Sequence, residues 1–125
     1  MTNKDIFTNA VNLQLEAKKI GLDWIDIKGI VAKIYEETKE VEEAIQSTEN
    51  GKIREELGDL LFTYISLARH LNIDLHQVIK EAELKFNARF LKVKSELEKS
   101  KKTFDKPFVI TVNGSHLARP TILNT

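Results

Sequence analysis

Apolar residues recur in this chain at alternating steps of three and four positions, which is the period of an amphipathic α-helix. The repeats occupy four stretches, at about 6–20, 27–45, 53–71 and 75–97, and segments rich in turn-forming residues separate them. Helices with one apolar face bury that face against each other. The sequence therefore predicts an all-α fold, a four-helix bundle-like domain.

The same pattern predicts which faces are buried. In the first helix the apolar stripe consists of Ile6, Ala10, Leu13, Ala17 and Ile20. The third helix is apolar on two sides, so we expect it to be the most buried of the four. Its second apolar side consists of Leu61, Ile65 and Ala68. Gly58 weakens this helix relative to alanine, which predicts the close approach of a neighbouring helix at that point.

The length and the distribution of proline predict one domain and a tail. With 125 residues the chain is long enough for one hydrophobic core and too short for two ordinary domains. Both prolines, Pro107 and Pro120, lie beyond residue 102, where Phe108 to Val112 forms a short β-prone run. We predict a helical domain over residues 1–102. The C-terminal tail, residues 103–125, is expected to be non-helical or to contact another subunit.

The composition excludes several classes of function. Nineteen basic and nineteen acidic residues cancel, so no net field attracts nucleic acid or an anionic membrane. The absence of cysteine excludes disulfides, thiolate zinc sites and cysteine nucleophiles. The first ten residues lack the apolar region of a signal peptide, and no apolar run is long enough for a membrane span. We therefore expect a cytoplasmic protein and no polyanionic partner such as nucleic acid.

Two helices carry acidic residues next to their apolar stripes. Glu37 and Glu40 lie three positions apart on the second helix, and Glu56 and Asp59 repeat that spacing on the third. Acidic residues on helices usually form a solvated surface, but a carboxylate near a core is costly unless a cation or hydrogen bonds compensate it. Antiparallel packing would bring the two pairs face to face. The four carboxylates then predict a site for Mg²⁺, with Mn²⁺ as a substitute.

A di-iron carboxylate site is another way to place glutamates inside a helical bundle. It needs Glu-x-x-His pairs, and none of His70, His76 and His116 has a glutamate three positions before it. We therefore expect these histidines to lie at the surface or in local hydrogen bonds.

Two segments, in this order, resemble those of a known family. Lys33 to Val41 contains an EExxE motif, and Glu55 to Phe62 contains an ExxD motif. The ordered pair is similar to the motifs of MazG-type nucleotide pyrophosphohydrolases, members of the all-α NTP pyrophosphatase superfamily. The similarity extends to Gly21–Trp24, Leu67–Leu71 and Lys85–Phe90.

The resemblance implies an activity and a set of metal ligands. Members of this family are helical bundles that work as dimers or higher oligomers and hydrolyse nucleoside triphosphates to the monophosphate and pyrophosphate. By motif position, the Mg²⁺ ligands would be Glu37, Glu40, Glu56 and Asp59. Glu36 would be an auxiliary acidic residue, and Glu36 or Glu37 would orient or deprotonate the attacking water.

The resemblance also implies substrate contacts. Lys85 and Arg89, four positions apart on the fourth helix, would bind the triphosphate, since a triphosphate needs cations beyond the metal. Trp24 would stack on the base or anchor the loop in which it lies.

Two departures from the family pattern keep other functions open. Glu83 stands where related sequences commonly carry asparagine, and Glu16 where they often carry a basic residue. Glu83 and the C-terminal tail, which is unlike that of related sequences, favour a catalytically inactive helical dimerisation or regulatory module. A further alternative is an enzyme similar to phosphoribosyl-ATP pyrophosphohydrolases. We also expect at least a homodimer, because a unit this small with a doubly apolar third helix buries more surface against a second copy.

Overall fold

The computed structural model describes residues 5–100 and two short strands. Its helices are α1 (Ile6–Lys19), α2 (Ile27–Ser47), α3 (Asn50–His70) and α4 (Leu75–Lys99). The strands β1 (Val109–Ile110) and β2 (Leu117–Ala118) pair antiparallel, with Val109 opposite Ala118. The predicted all-α class and the four predicted helices are confirmed. None of the described helices is long and apolar enough to cross a lipid bilayer.

The chain divides into two compact units, one up to Ile79 and one from Lys80 onward. The first contains α1, α2, α3 and the first turn of α4, and the second contains the rest of α4, where Leu97 is buried. The strand β1 lies inside the run that the sequence predicts to be β-prone. Apart from β1 and β2, the predicted tail, with His116, lies outside the described residues, so the domain boundary after residue 102 stays a prediction.

The helices α2 and α3 form a hairpin, because only Thr48 and Glu49 separate them. The N-cap residue of α2 is Asp26, whose Oδ1 accepts a hydrogen bond of 2.8 Å from the backbone N–H of Gly29. The helix ends at Thr48, which adopts the left-handed conformation with φ of 59°. A turn this short leaves the two helices antiparallel.

The helix α3 lies at the centre of the first unit, where it packs against both α1 and α2. Four of its residues are buried, compared with three in α2 and one each in α1 and α4. They are Thr63, Ile65, Ser66 and Ala68. The expectation that the third helix is the most buried is therefore confirmed for the described residues, although Leu61 is 55% exposed.

The close helix approach predicted at Gly58 is not made. Outside the backbone of α3 itself, no atom of the described residues lies within 4 Å of the position that a Cβ would take there. That prediction is wrong for this part of the chain.

The buried face of α1 also differs from the predicted one. Ile6, Leu13 and Ile20 are 65%, 63% and 84% exposed, whereas Gln14 is buried. The covered face consists of Phe7, Ala10, Val11, Gln14 and Ala17. The predicted face is therefore displaced by about one residue from the observed one. The apolar pattern excludes Gln14, which is buried because its amide makes hydrogen bonds.

Candidate metal centre and adjoining cleft

The buried face of α2 carries a carboxylate at a position where a core residue is expected. Ile30, Glu37 and Ala44 stand seven positions apart and therefore on the same face of the helix. These residues are 0%, 5% and 0% exposed. Glu37 is thus an ionisable residue with a core residue two turns away on either side, and its burial needs compensation.

The helix α3 brings two further acids to Glu37. One carboxylate oxygen from each of Glu37, Glu56 and Asp59 lies within 4.8 Å of those from the other two. Glu37 is buried, Glu56 is half-buried and Asp59 is exposed, so the cluster has both a buried and a solvent-accessible end. These are three of the four residues whose spacing predicts a divalent-cation site.

Two oxygen atoms of this cluster lack a partner. The Oε2 atoms of Glu37 and Glu56 are buried and accept no hydrogen bond from any described residue. Leaving a buried acceptor without a partner costs about 1–3 kcal/mol, and more when the group is charged. A divalent cation would satisfy both atoms and reduce the repulsion among the three acids. Because every candidate ligand is a carboxylate oxygen, the set fits a hard cation such as Mg²⁺ or Mn²⁺.

The other acidic residues predicted for the site have different surroundings. Glu40 is half-buried and is not one of the three clustered residues. The side chain of Glu36 is 58% exposed and lies 2.9 Å from the ammonium of Lys33. Lys33 also lies 3.2 Å from Oε1 of Glu37. Its hydrogen bonds to Glu36 and then Glu37 raise the pKa of its ammonium, which stays charged and offsets part of the negative charge. The roles of Glu36 and Glu40 stay predictions.

The two basic residues predicted to bind the triphosphate lie on α4, within the second compact unit. Lys85 is exposed and Arg89 is half-buried. They stand four positions apart and so share one face of that helix, as the sequence indicated. Their contact with a triphosphate stays a prediction.

A cleft of about 410 Å³ lies between α1, α3 and the segment that joins α1 to α2. Its apolar lining consists of Ala17, Leu22, Trp24 and Phe62, and its polar lining consists of Gln14, Asp23, Thr63, Ser66 and Arg69. The Oγ1 atom of Thr63 donates a hydrogen bond of 2.9 Å to the backbone carbonyl of Asp59. The cleft and the acidic cluster therefore occupy successive turns of α3. Trp24 is half-buried, and stacking and anchoring both stay open as its role.

A hydrogen-bonded network joins the polar residues of the cleft. The Nε2 atom of Gln14 donates to the carbonyl of Phe62 at 3.1 Å, and its Oε1 accepts from Ser66 Oγ and Arg69 Nε, each at 3.0 Å. The Nη1 and Nη2 atoms of Arg69 donate to the two carboxylate oxygens of Asp23, at 3.2 and 2.7 Å. This guanidinium holds the pKa of Asp23 well below its usual range.

Sequence reasoning missed Gln14, Asp23 and Arg69. Asp23 and Arg69 lie in the segments GLDW and LARHL, whose likeness to the family carries no indication of their role. For Gln14 the available signal is its spacing of four from Ala10 and three from Ala17, two of the covered residues. The predicted local bonding of His70 is confirmed, since its Nε2 lies 3.2 Å from Asp23 Oδ1.

The helical hairpin carries a partly buried carboxylate cluster, and a cleft of small-molecule size lies next to it. By its described residues, the chain is therefore an all-α protein with a candidate divalent-cation site. The family model of the MazG nucleotide pyrophosphohydrolase domain matches residues 26–93, which is more than half of the chain and contains all three clustered acids. The chain therefore belongs to the MazG family, as its motifs predicted.

Two curated relatives are similar over most of this chain. A nucleoside triphosphate pyrophosphohydrolase/pyrophosphatase MazG from Thermotoga maritima is 41% identical over 90 residues, which cover 72% of this chain and 34% of that protein. A nucleoside triphosphate pyrophosphohydrolase from Escherichia coli K12 is 40% identical over 86 residues, covering 67% of this chain and 33% of that protein. The chain thus spans about a third of the length of these relatives.

Proposed function

We propose that this chain is a nucleotide pyrophosphohydrolase that depends on a divalent metal, Mg²⁺ by expectation, with Mn²⁺ as a substitute. Its substrates would be nucleoside triphosphates or their deoxy forms, non-standard ones included. The observation that carries the proposal is the pair of buried, partnerless Oε2 atoms of Glu37 and Glu56 beside Asp59. Membership of the MazG family and the names of the two relatives support the reaction class.

In the proposed reaction, a water oxygen attacks the α-phosphorus. The bond between that phosphorus and the oxygen leading to the β-phosphate breaks, and its electron pair leaves with pyrophosphate. A divalent ion held by Glu37, Glu56 and Asp59 would supply polarisation of the phosphoryl oxygens and positive charge to offset that of the leaving group. Of the two carboxylates predicted to accept the proton of the water, Glu37 is the better candidate because it belongs to the cluster. The side chain of Glu36 is largely exposed, and pairing with Lys33 does not separate the two, since Lys33 contacts both carboxylates.

The cleft is the proposed site of the base. Its volume falls within the range of about 300–1,000 Å³ that small-molecule sites have. Asp59 and Ser66 are seven residues apart on α3, which corresponds to about 10 Å along the helix axis. A nucleotide can span such a distance, with its phosphates at the acids and its base in the cleft. Trp24 would then offer an aromatic face to the base.

The triphosphate carries more negative charge than a metal ion and Lys33 neutralise. Lys85 and Arg89 are proposed to bind it, because they match the basic residues of the family motif and share one face of α4.

A second copy of the chain is proposed to cover an apolar face of α3. Leu57, Leu61 and Tyr64 are 46%, 55% and 43% exposed, and their spacing of four and three places them on one face. Contiguous exposed apolar residues are typical of interaction surfaces. The expected assembly is a homodimer or a higher homo-oligomer.

The test is a pyrophosphate-release assay on the eight canonical ribo- and deoxyribonucleoside triphosphates, a set of modified ones and phosphoribosyl-ATP. We expect one pyrophosphate per monophosphate with Mg²⁺ or Mn²⁺ and no release with EDTA. Glu37→Gln should abolish release, whereas Glu43→Gln, which changes an exposed acid on the same helix, should not.

Each other outcome of this assay identifies a different function. Release from none of the nucleotides would favour the inactive dimerisation or regulatory module. Cleavage of phosphoribosyl-ATP alone would favour an enzyme similar to phosphoribosyl-ATP pyrophosphohydrolases. Full activity in EDTA would contradict the metal-dependent mechanism.

A further inference from the structure

Arg69 is the point at which the three elements around the cleft are joined. Its side chain is only 9% exposed. From α3 it reaches Gln14 on α1 through Nε, and Asp23 in the α1–α2 segment through Nη1 and Nη2. A guanidinium has five N–H groups, and three of its bonds are made to these two residues. Arg69 is therefore placed to hold protein groups more than to bind a ligand itself.

We propose that Arg69 is a positioning residue for nucleotide recognition, which acts through Asp23 on Trp24 and through Gln14 on the polar wall of the cleft. The proposal rests on the proposed function, since it takes the cleft to be the site of the base. The residues that the family model matches begin at 26, after Gln14, Asp23 and Trp24 in the chain. The similarity of the segment Gly21–Trp24 to the family carries no indication of a role for Arg69.

The first half of the proposal follows from the bonds of Asp23. Its carboxylate accepts two hydrogen bonds from Arg69, a planar geometry that fixes both groups. The backbone N–H of Trp24 and the ring of His70 also bond to this carboxylate and help to keep its pKa low. The position of the Trp24 backbone is thus tied to α3 through one side chain, that of Asp23. If the guanidinium is lost, the contact with His70 remains, but the two hydrogen bonds that fix the plane of the Asp23 carboxylate are gone, so the Trp24 ring should be held less firmly in the cleft wall.

The second half follows from the amide of Gln14. Its Oε1 accepts two hydrogen bonds, from Ser66 and Arg69, and its Nε2 donates to the carbonyl of Phe62. These bonds allow only one orientation of the amide, which fixes the direction in which the second N–H of Nε2 can meet a base. A site with fixed polar groups rejects a base that leaves them unpaired. Loss of Arg69 removes one of the two bonds to Oε1 and should weaken discrimination among bases.

The experiment compares Arg69→Gln, Arg69→Lys and Asp23→Asn with wild type and with Lys19→Gln. The control variant removes an ion pair of 3.0 Å between Lys19 and Glu16, both about 70% exposed, and leaves the cleft intact. For each protein, kcat and KM are measured with Mg²⁺ and the canonical triphosphates. Inhibition by inorganic tripolyphosphate, which has no base, is measured in parallel. The fluorescence of Trp24, the only tryptophan, reports its surroundings directly.

For Arg69→Gln we expect KM for the best nucleotide to rise about tenfold, as for the loss of one charge-assisted hydrogen bond. The spread of kcat/KM among bases should narrow, whereas kcat and the inhibition constant of tripolyphosphate should change less than about twofold. Trp24 emission should shift to longer wavelength and become more accessible to acrylamide. Asp23→Asn should reproduce the Trp24 change, and Arg69→Lys should restore only part of KM, because lysine cannot bond bidentately.

Four results overturn the proposal. They are an unchanged Trp24 signal, an unchanged spread among bases, a fall in kcat with constant KM, or an equal weakening of tripolyphosphate. If Arg69→Gln loses its helical circular dichroism, Asp23→Asn, which keeps the guanidinium, decides by the same measurements. Failure of the proposed function is distinguishable, because wild type would then release no pyrophosphate from any nucleotide. In that case Trp24 emission in the folded variants still decides whether Arg69 positions the loop.

Discussion

Glu37 illustrates how a single residue can be placed against the ordinary preferences of a helix. Its neighbours at the same register, Ile30 and Ala44, are fully buried, and a hydrophobic side chain at position 37 would extend that core. The carboxylate instead leaves one oxygen without a partner and approaches two other acids. Such a residue lowers stability in the absence of a cation, and its presence is explained by a ligand that compensates it.

Glu37→Gln should therefore stabilise the metal-free protein and remove its response to metal. Replacement of the charge relieves repulsion from Glu56 and Asp59, so we expect the free energy of unfolding in EDTA to rise by about 1 kcal/mol. The increase in Tm that Mg²⁺ or Mn²⁺ gives the wild type should disappear. Thermal unfolding with and without metal measures both effects. A variant that gains no stability in EDTA, or that still responds fully to metal, would contradict this role of Glu37.

The ring of His76 lies between two aspartates, so its contribution to stability should depend on pH. Its Nε2 lies 2.5 Å from Asp5 Oδ1, and its Nδ1 lies 3.1 Å from Asp74 Oδ1. Hydrogen bonds to Asp74 and then Asp5 raise the pKa of His76 above 6.5. The pKa values of both aspartates are lowered below 3.8, that of Asp5 mainly by Thr8 and that of Asp74 mainly by His76.

The sign of each shift defines a pH window. Because the pKa of His76 is raised by folding, protonated His76 stabilises the fold fully below pH 6.5. This stabilisation is lost as the pH rises through the pKa of His76 in the folded protein. Because the pKa values of Asp5 and Asp74 are lowered by folding, their carboxylates stabilise the fold fully above pH 3.8. This stabilisation is lost as the pH falls through their pKa values in the folded protein. The stability difference between wild type and His76→Gln should therefore be largest between these limits and smaller at alkaline pH. Urea unfolding of both proteins at about pH 5.5 and 8.5 tests this expectation. A stability difference that is equal at the two pH values would contradict it.

Among the elements, residue spacing was sufficient to locate all four helices and to bring Glu37 together with Glu56 and Asp59, but it also included Glu40, which is not one of the clustered acids. It failed for α1, because Gln14 occupies a buried position for its bonds to Ser66, Arg69 and the carbonyl of Phe62. The cleft could not be predicted for a related reason. It depends on contacts between residues 46 to 55 positions apart, and spacing along one helix says nothing about such contacts.

Gly58→Ala should stabilise α3. Alanine at this helical position reduces the entropy of the unfolded chain, and the described residues leave space for the new methyl group. We expect a gain of about 0.5–1 kcal/mol in the free energy of unfolding, measured in urea. In contrast, Gly21→Ala should destabilise, since Gly21 has φ of +93°. Destabilisation by Gly58→Ala would instead indicate that a second copy approaches α3 at this position.

The whole molecule is expected to be an oligomer, and the apolar face of α3 provides the test. Leu61→Glu places a charge between Leu57 and Tyr64, which a buried interface does not tolerate. Light scattering should show a dimer or larger assembly for the wild type and a smaller species for this variant. Lys18→Glu, which changes an exposed residue of α1, should leave the assembly intact. A monomeric wild type, or an unchanged mass for Leu61→Glu, would contradict the proposed interface.

We propose that Glu37, Glu56 and Asp59 together hold a divalent cation on which nucleotide cleavage depends. The most direct measurement is the anomalous difference signal of a crystal grown or soaked with Mn²⁺. We predict a peak among the three side chains, about 2.0–2.6 Å from at least one oxygen of each. A well-ordered crystal in which these side chains bind no ion, or diverge into solvent, would contradict the claim.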